Sequence, residues 1–197
     1  MGRKATAVTI LIGAAAFGAI DQYLGAQYSP FLIEVSGLSA PWLLLPFLAG
    51  ASQPAAHPAA LLGLATTWLA VAAYSFMTAS PMEGVHLTPQ MYLDTLARQW
   101  PWLAGGLVTG PLYGWLGHRF RVRRFWAAGL LAALPVLLEP GGRWLTTHCG
   151  LDRLARWEFS WPPSGLGQGA VTAMLAEACL GLLLMAVTAA VALRSTR

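Results

Sequence analysis

The apolar runs of this chain leave it one setting in which to fold, and its charges say which way round it lies there. All eight acidic residues fall on one side of the membrane arrangement that those runs imply, whereas Arg119, Arg121, Arg123 and Arg124 crowd into residues 118–124. Loops rich in lysine and arginine stay in the cytoplasm, so this cluster marks the inner face and the other spans count outward from it. With 56% hydrophobic and 10% charged residues and a mean hydropathy of +0.56, the chain lacks the polar surface of a soluble domain. The net charge of +4 flanks apolar spans, which points to topology and anionic headgroups rather than to nucleic acid.

About 20 apolar residues make one crossing. The sequence therefore predicts an all-α fold, a polytopic membrane helical bundle that forms a single integral membrane domain over residues 1–197 with both termini cytoplasmic. About six transmembrane helices are expected, over residues 5–25, 38–52, 58–79, 100–117, 125–138 and 170–193. The first follows Arg3 and Lys4 as a signal peptide would, but residues 25–27 make a poor processing site and the helix is read as retained. The second is short; it crosses a thinned bilayer, or forms a re-entrant pair with the third. Alternating spans put Arg3, Lys4, the arginine cluster, Arg194 and Arg197 inside, against Arg98, Arg143, Arg153 and Arg156 outside. The turn of residues 53–57 belongs inside too, yet it holds no lysine or arginine.

Thr88-Pro89 predicts a short interfacial helix through Gln99, because threonine caps a helix start and proline suits its first turn. The segment 141–169, with Trp157, Trp161, Pro162 and Pro163, reads as an aromatic anchor in the headgroups or as a lid. Cys149 in an outer loop and Cys179 within a span predict no disulfide.

Small residues mark packing or partner-docking faces. Gly106, Gly110 and Gly114 share one stripe of the fourth span, and Ala14 and Gly18 share a face of the first; both allow close helix approach. Carboxyl groups within spans are costly in hydrocarbon and therefore mark candidate sites. Glu177 shares a face with Ala173 and Gly181, Asp21 lies near the outer end of the first span, and Glu139 closes the fifth before Pro140-Gly141-Gly142. A carboxylate at a helix carboxyl end opposes the macrodipole, so Glu139 needs a compensating partner, for which Arg143 is nearest in sequence. Asp21, Glu139 and Glu177, walled by Trp42, Trp102 and Tyr113, would form a pocket for a cation, a proton or a basic organic solute. No metal-ligand spacing, phosphate loop or nucleophile elbow occurs, so no metal or other cofactor and no catalytic residue is indicated, and a role other than catalysis is favoured.

Trp102, then Gly110-Pro111-Leu112-Tyr113-Gly114, a basic loop, Leu138-Glu139 and Glu177 with Gly181 follow in an order that, together with Ala40-Pro41-Trp42 and Phe47-Leu48-Ala49-Gly50, resembles an uncharacterised family of small actinobacterial multi-pass membrane proteins. The resemblance spans most of the chain and implies the bacterial cytoplasmic (inner) membrane; the family, a domain of unknown function, brings no activity with it. The segment 143–169 is longer than that family's pattern. At a greater distance the chain is similar to substrate-binding subunits of energy-coupling-factor transporters, which have six helices and dock a partner through small-residue faces of the first helix; residues 13–19 resemble such a face. The expected function is to bind or transport a small cationic or protonatable solute. Its rivals are a structural or partner subunit of a membrane complex, and a membrane-embedded enzyme acting on a lipid or isoprenoid with Asp21, Glu139 or Glu177 as acid or base.

Overall fold

Each apolar run is helical in the computed structural model of the protein, which describes residues 3–27, 29–80, 88–123, 126–148 and 168–195. The described helices are α1 (Arg3–Gly25), α2 (Pro30–Ser36), α3 (Ser39–Ala51), α4 (Ala56–Thr78), α5 (Pro89–Arg98), α6 (Trp100–Arg123), α7 (Trp126–His148) and α8 (Gln168–Ser195). The fold is all-α among the described residues. Three helices are long and apolar enough to cross a membrane, at Ala5–Gly25, Ala56–Thr78 and Val171–Ala190. Only 22%, 33% and 28% of their most apolar windows are buried inside the protein, and Ile12, Leu61, Leu182 and Leu183 point outward. So much exposed apolar surface is stable in lipid and not in water, which makes this a membrane-embedded helical bundle.

Lipid tails are as apolar as leucine, so burial alone does not drive helices together in a bilayer; close backbone approach does. The glycine stripe of α6 supplies it. Gly106 faces Thr67 and Trp68 of α4, Gly110 faces Gly63 and Leu64, and Gly114 faces Ala59 and Gly63. The falling partner numbers show that α4 and α6 run antiparallel. A Cβ at Gly110 would stand 2.9 Å from Leu64 Cα, leaving room for no larger residue. The other face of α6 takes α3, with Gly117 against Phe47 and Gly50 against Gly114. On the opposite side of α4, Gly18 of α1 meets the Ala70 carbonyl, and Ala14 is wholly buried. Phe47, Tyr113, Leu116, Ala128 and Ala132 form the core cluster that joins α3, α6 and α7. Finally α8 packs on α7, with Gly181 against Leu137 and Thr188 at Gly129, and α2 bridges α1 and α8.

Three boundaries differ from expectation. The fourth span was expected to end at Gly117, but α6 continues to Arg123, so His118, Arg119 and Arg121 stand on a helix; arginine favours helix and suits the negative C-terminal end. Pro140-Gly141-Gly142 reads as a stop after Leu138, yet α7 passes through Pro135 and Pro140 to His148. A proline removes one backbone donor, a loss that neighbouring helices make tolerable in a membrane bundle. The third difference is α2, which no expected span contains; Pro30 opens it, and Ile33 N–H closes its first turn on Ser29 O at 3.1 Å. The short helix at Thr88 forms as the sequence indicates: the Thr88 hydroxyl accepts from Met91 N–H at 3.2 Å, and Tyr92 anchors α5 on the Ala72 carbonyl of α4. Of the segment 141–169, the aromatic stretch with Trp157 and Trp161 lies outside the described residues.

Candidate functional site

Thirteen residues of α3 extend about 20 Å, against about 30 Å of hydrocarbon. Both ends of so short a helix sit among its neighbours, and each needs partners for backbone groups that have none within the helix. Leu38 is its N-cap and offers no side-chain cap. Glu139 of α7 takes that role from across the bundle: the Ser39 backbone N–H donates to its two carboxylate oxygens at 3.1 and 3.3 Å. Glu139 therefore does not close its own helix, and the positive end of α3 compensates it; the Arg143 side chain, expected as its partner, lies outside the described residues. At the other end Arg121 Nη1–H donates to the Ala51 carbonyl at 2.7 Å, and His118 Nδ1 lies 3.0 Å from the Gln53 carbonyl. A carbonyl only accepts, so that nitrogen carries the imidazole proton. An acid thus sits at the positive end of α3 and a base at its negative end, both supplied by other helices.

One turn into α3, Trp42 reaches the opposite way, toward α1. Its indole N–H, the only donor of that side chain, is hydrogen-bonded to the Asp21 carboxylate. Phe17 meets the Trp42 ring edge-on at 5.1 Å and Tyr74 does so at 6.1 Å. Asp21 is only 7% exposed. α1, α3 and α4 thus bring together a buried carboxylate, the indole that donates to it and two rings that pack on that indole.

Glu177 of α8 is 1% exposed and shares its inward face with Ala173 and Gly181, as the sequence spacing indicates. Since Gly181 meets Leu137, and α7 and α8 run antiparallel, Glu177 lies one turn nearer the Glu139 end of the bundle. Asp21, Glu139 and Glu177 all belong to this end, which we call the carboxylate end; Arg119 and Arg121 mark the arginine end. The remaining expected members do not join them. Tyr113 is buried deeper, in the core cluster with Phe47, and Trp102 is 58% exposed on the outside of α6. Gly106, Gly110, Gly114 and Gly18 are covered by the chain's own helices, so these positions serve the packing of the bundle. Of the arginine cluster, Arg123 ends α6 and Arg124 lies outside the described residues.

Sequence reasoning did not select Phe17 and Tyr74 as walls or Ser39 as a donor. Their partners lie on other helices, and only the aromatic type of Phe17 and Tyr74 could have drawn notice. Among the described residues no three His, Cys, Asp or Glu side chains group as metal ligands. Compared with protein-family models, curated proteins and solved structures, the chain matches none.

Proposed function

We propose that the protein is a six-crossing protein of the bacterial cytoplasmic membrane, with both termini inside, that binds or transports a small cationic or protonatable solute at its outer, carboxylate end. The crossings are α1, α3, α4, α6, α7 and α8; α2 and α5 lie at the outer interface. Glu139 and Arg121 support a crossing by the short α3, because they satisfy helix ends that lipid cannot. The arginine end also supplies what the turn of residues 53–57 lacks: His118 and Arg121 of α6 stand beside it, giving it the basic character of a cytoplasmic loop.

The observation that carries the solute-binding reading is the buried Asp21 carboxylate, hydrogen-bonded to Trp42, whose ring Phe17 and Tyr74 meet edge-on. An anion in a low-dielectric site attracts a cation or keeps its own proton, and aromatic faces beside it favour an organic ammonium. Glu177 gives the same end a second buried carboxyl. The test is thermal stability of the purified chain against organic cations, metal ions and vitamins, with Asp21→Asn and Glu177→Gln in parallel. A solute bound only by the folded state stabilises it by about 2.7 kcal/mol at a hundred times its Kd. The expected result is a solute-specific rise that Asp21→Asn abolishes. No rise in the parent with any solute, or an equal rise in both variants, would contradict the reading.

A further inference from the structure

Asp21 is 7% exposed, so a solute meets its carboxylate only after a covering group moves aside. The helices around it are fixed to different degrees. α1 and α4 meet backbone to backbone where Gly18 lies on the Ala70 carbonyl, and α4 and α6 do so along Gly63, Gly110 and Gly114. Helix α3 divides in two. Residues 47–51 are clamped to α6: the Phe47 carbonyl lies on Gly117, Gly50 lies on the Gly114 carbonyl, the Phe47 and Phe120 rings stand 5.8 Å apart, and Arg121 holds the Ala51 carbonyl. Of residues 39–45, Ala40 alone is buried, and Leu43 is partly buried against the core cluster. Two carboxylates from other helices hold this outer part: Glu139 accepts from Ser39 N–H at 3.1 and 3.3 Å, and Asp21 accepts from the Trp42 indole. Between the two parts stands Pro46, buried and inside the helix. It has no N–H to give the Trp42 carbonyl, so the parts share one helical hydrogen bond fewer, and a proline within a helix is where a kink forms.

We propose that residues 39–45 form a gate over Asp21 that turns about Pro46 and is latched by the carboxylates of Asp21 and Glu139. The gate rests on the solute-binding reading, since it is the route by which a solute reaches a buried carboxylate. Trp42 is both cover and latch, because its indole donates to the group that it packs on. In a low-dielectric site a cation attracts a carboxylate more strongly than a neutral N–H does, so a cationic solute takes Asp21 from the indole and frees Trp42. Glu139 then holds the end of α3 alone. The inner part keeps its place on α6, and the change is absorbed at Pro46, as hinges absorb it at a few residues within or between elements.

The test is double electron–electron resonance on the full chain in lipid nanodiscs, with Cys149 and Cys179 replaced by serine and spin labels on either of two cysteine pairs. Ser39→Cys with Val108→Cys of α6 reports the outer part of α3, and Leu48→Cys with Val108→Cys reports the inner part. Val108 and Leu48 face outward, and Ser39→Cys keeps its backbone donor. Ser39 stands about 10 Å from Pro46 along the helix, so a change in kink of about 20° moves it by about 3 Å. Asp21→Ala combined with Glu139→Ala removes both latches and needs no solute, whereas Trp42→Phe removes the indole latch and keeps the ring. The first pair is expected to shift by that amount in the latch-free chain and by less in Trp42→Phe. The second pair should keep its parental distance throughout, which also shows that the bundle is folded. Saturating choline, a quaternary ammonium, is the solute probe and should shift the first pair of the parent in the same direction. An unmoved first pair in the latch-free chain, or equal shifts in both pairs, would overturn the gate. Choline that raises the melting temperature but leaves the first pair in place would overturn it too, with solute binding upheld. A shift in the latch-free chain without stabilisation by any solute would support hinge and latch and contradict the solute-binding reading.

Discussion

Trp42 connects the two halves of the chemistry at the carboxylate end: its backbone belongs to the first turns of α3, whose N-terminus Glu139 holds, and its indole holds Asp21. Replacing it with phenylalanine keeps most of the ring packing against Phe17 and Tyr74 but strips a buried carboxylate of its donor. Leaving a buried polar group unsatisfied costs about 1–3 kcal/mol. Trp42→Phe is therefore expected to destabilise the parent by that amount and to cost much less in an Asp21→Asn background. A double-mutant cycle read by denaturation in detergent measures the difference; equal costs in both backgrounds would remove the Asp21–Trp42 bond from the account. Asp21 and Trp42 were both selected from sequence, one as a charge within a span and the other as an aromatic at a span end. Their pairing was not legible, because it depends on the packing of α1 against α3. Trp102, chosen on the same ground as Trp42, faces outward, since a span-end tryptophan serves an interfacial belt as readily as a site.

At the scale of the element, α3 is too short to cross on length alone, and both its ends are capped by its neighbours. The need of Glu139 for a partner was legible in the sequence, but Ser39, a hundred residues upstream, was not, because that pairing depends on the packing of α7 against α3. Glu139→Ala isolates the cap, because alanine is the best helix former and leaves α7 intact. Losing an N-cap costs about 0.5–2 kcal/mol, and Glu139→Ala should lower stability by that much, with early loss of protection of the Ser39 amide in hydrogen exchange. Unchanged exchange at Ser39 would mean that Glu139 does not hold the end of α3. Helix existence was legible wherever apolar runs are long, and the Thr88-Pro89 start was legible from cap chemistry. The α7 terminus was not, since Pro-Gly-Gly is a local stop signal that packing of α7 against α3 and α8 overrides. Nor was α2, whose seven residues give too little periodicity to stand out.

For the molecule as a whole, composition and hydropathy were enough to place it in a membrane, and charge asymmetry was enough to predict two unlike ends. What the fold adds is that each end is one physical surface: the α3–α4 turn joins the C-terminal turns of α6, and carboxyl groups from α1, α7 and α8 lie toward the other end. The proposed solute binding requires the carboxylate end to face the outer aqueous compartment and the arginine end to face the inner one. The most direct measurement is labelling of single cysteines, on a background with Cys149 and Cys179 replaced by serine, using a membrane-impermeant maleimide. Gln90→Cys on α5 and Pro54→Cys in the α3–α4 turn are both exposed positions, at opposite ends of α4. Gln90→Cys is expected to label in intact cells and Pro54→Cys only after lysis. Labelling of Pro54→Cys from outside, or of both positions from one side, would contradict that orientation.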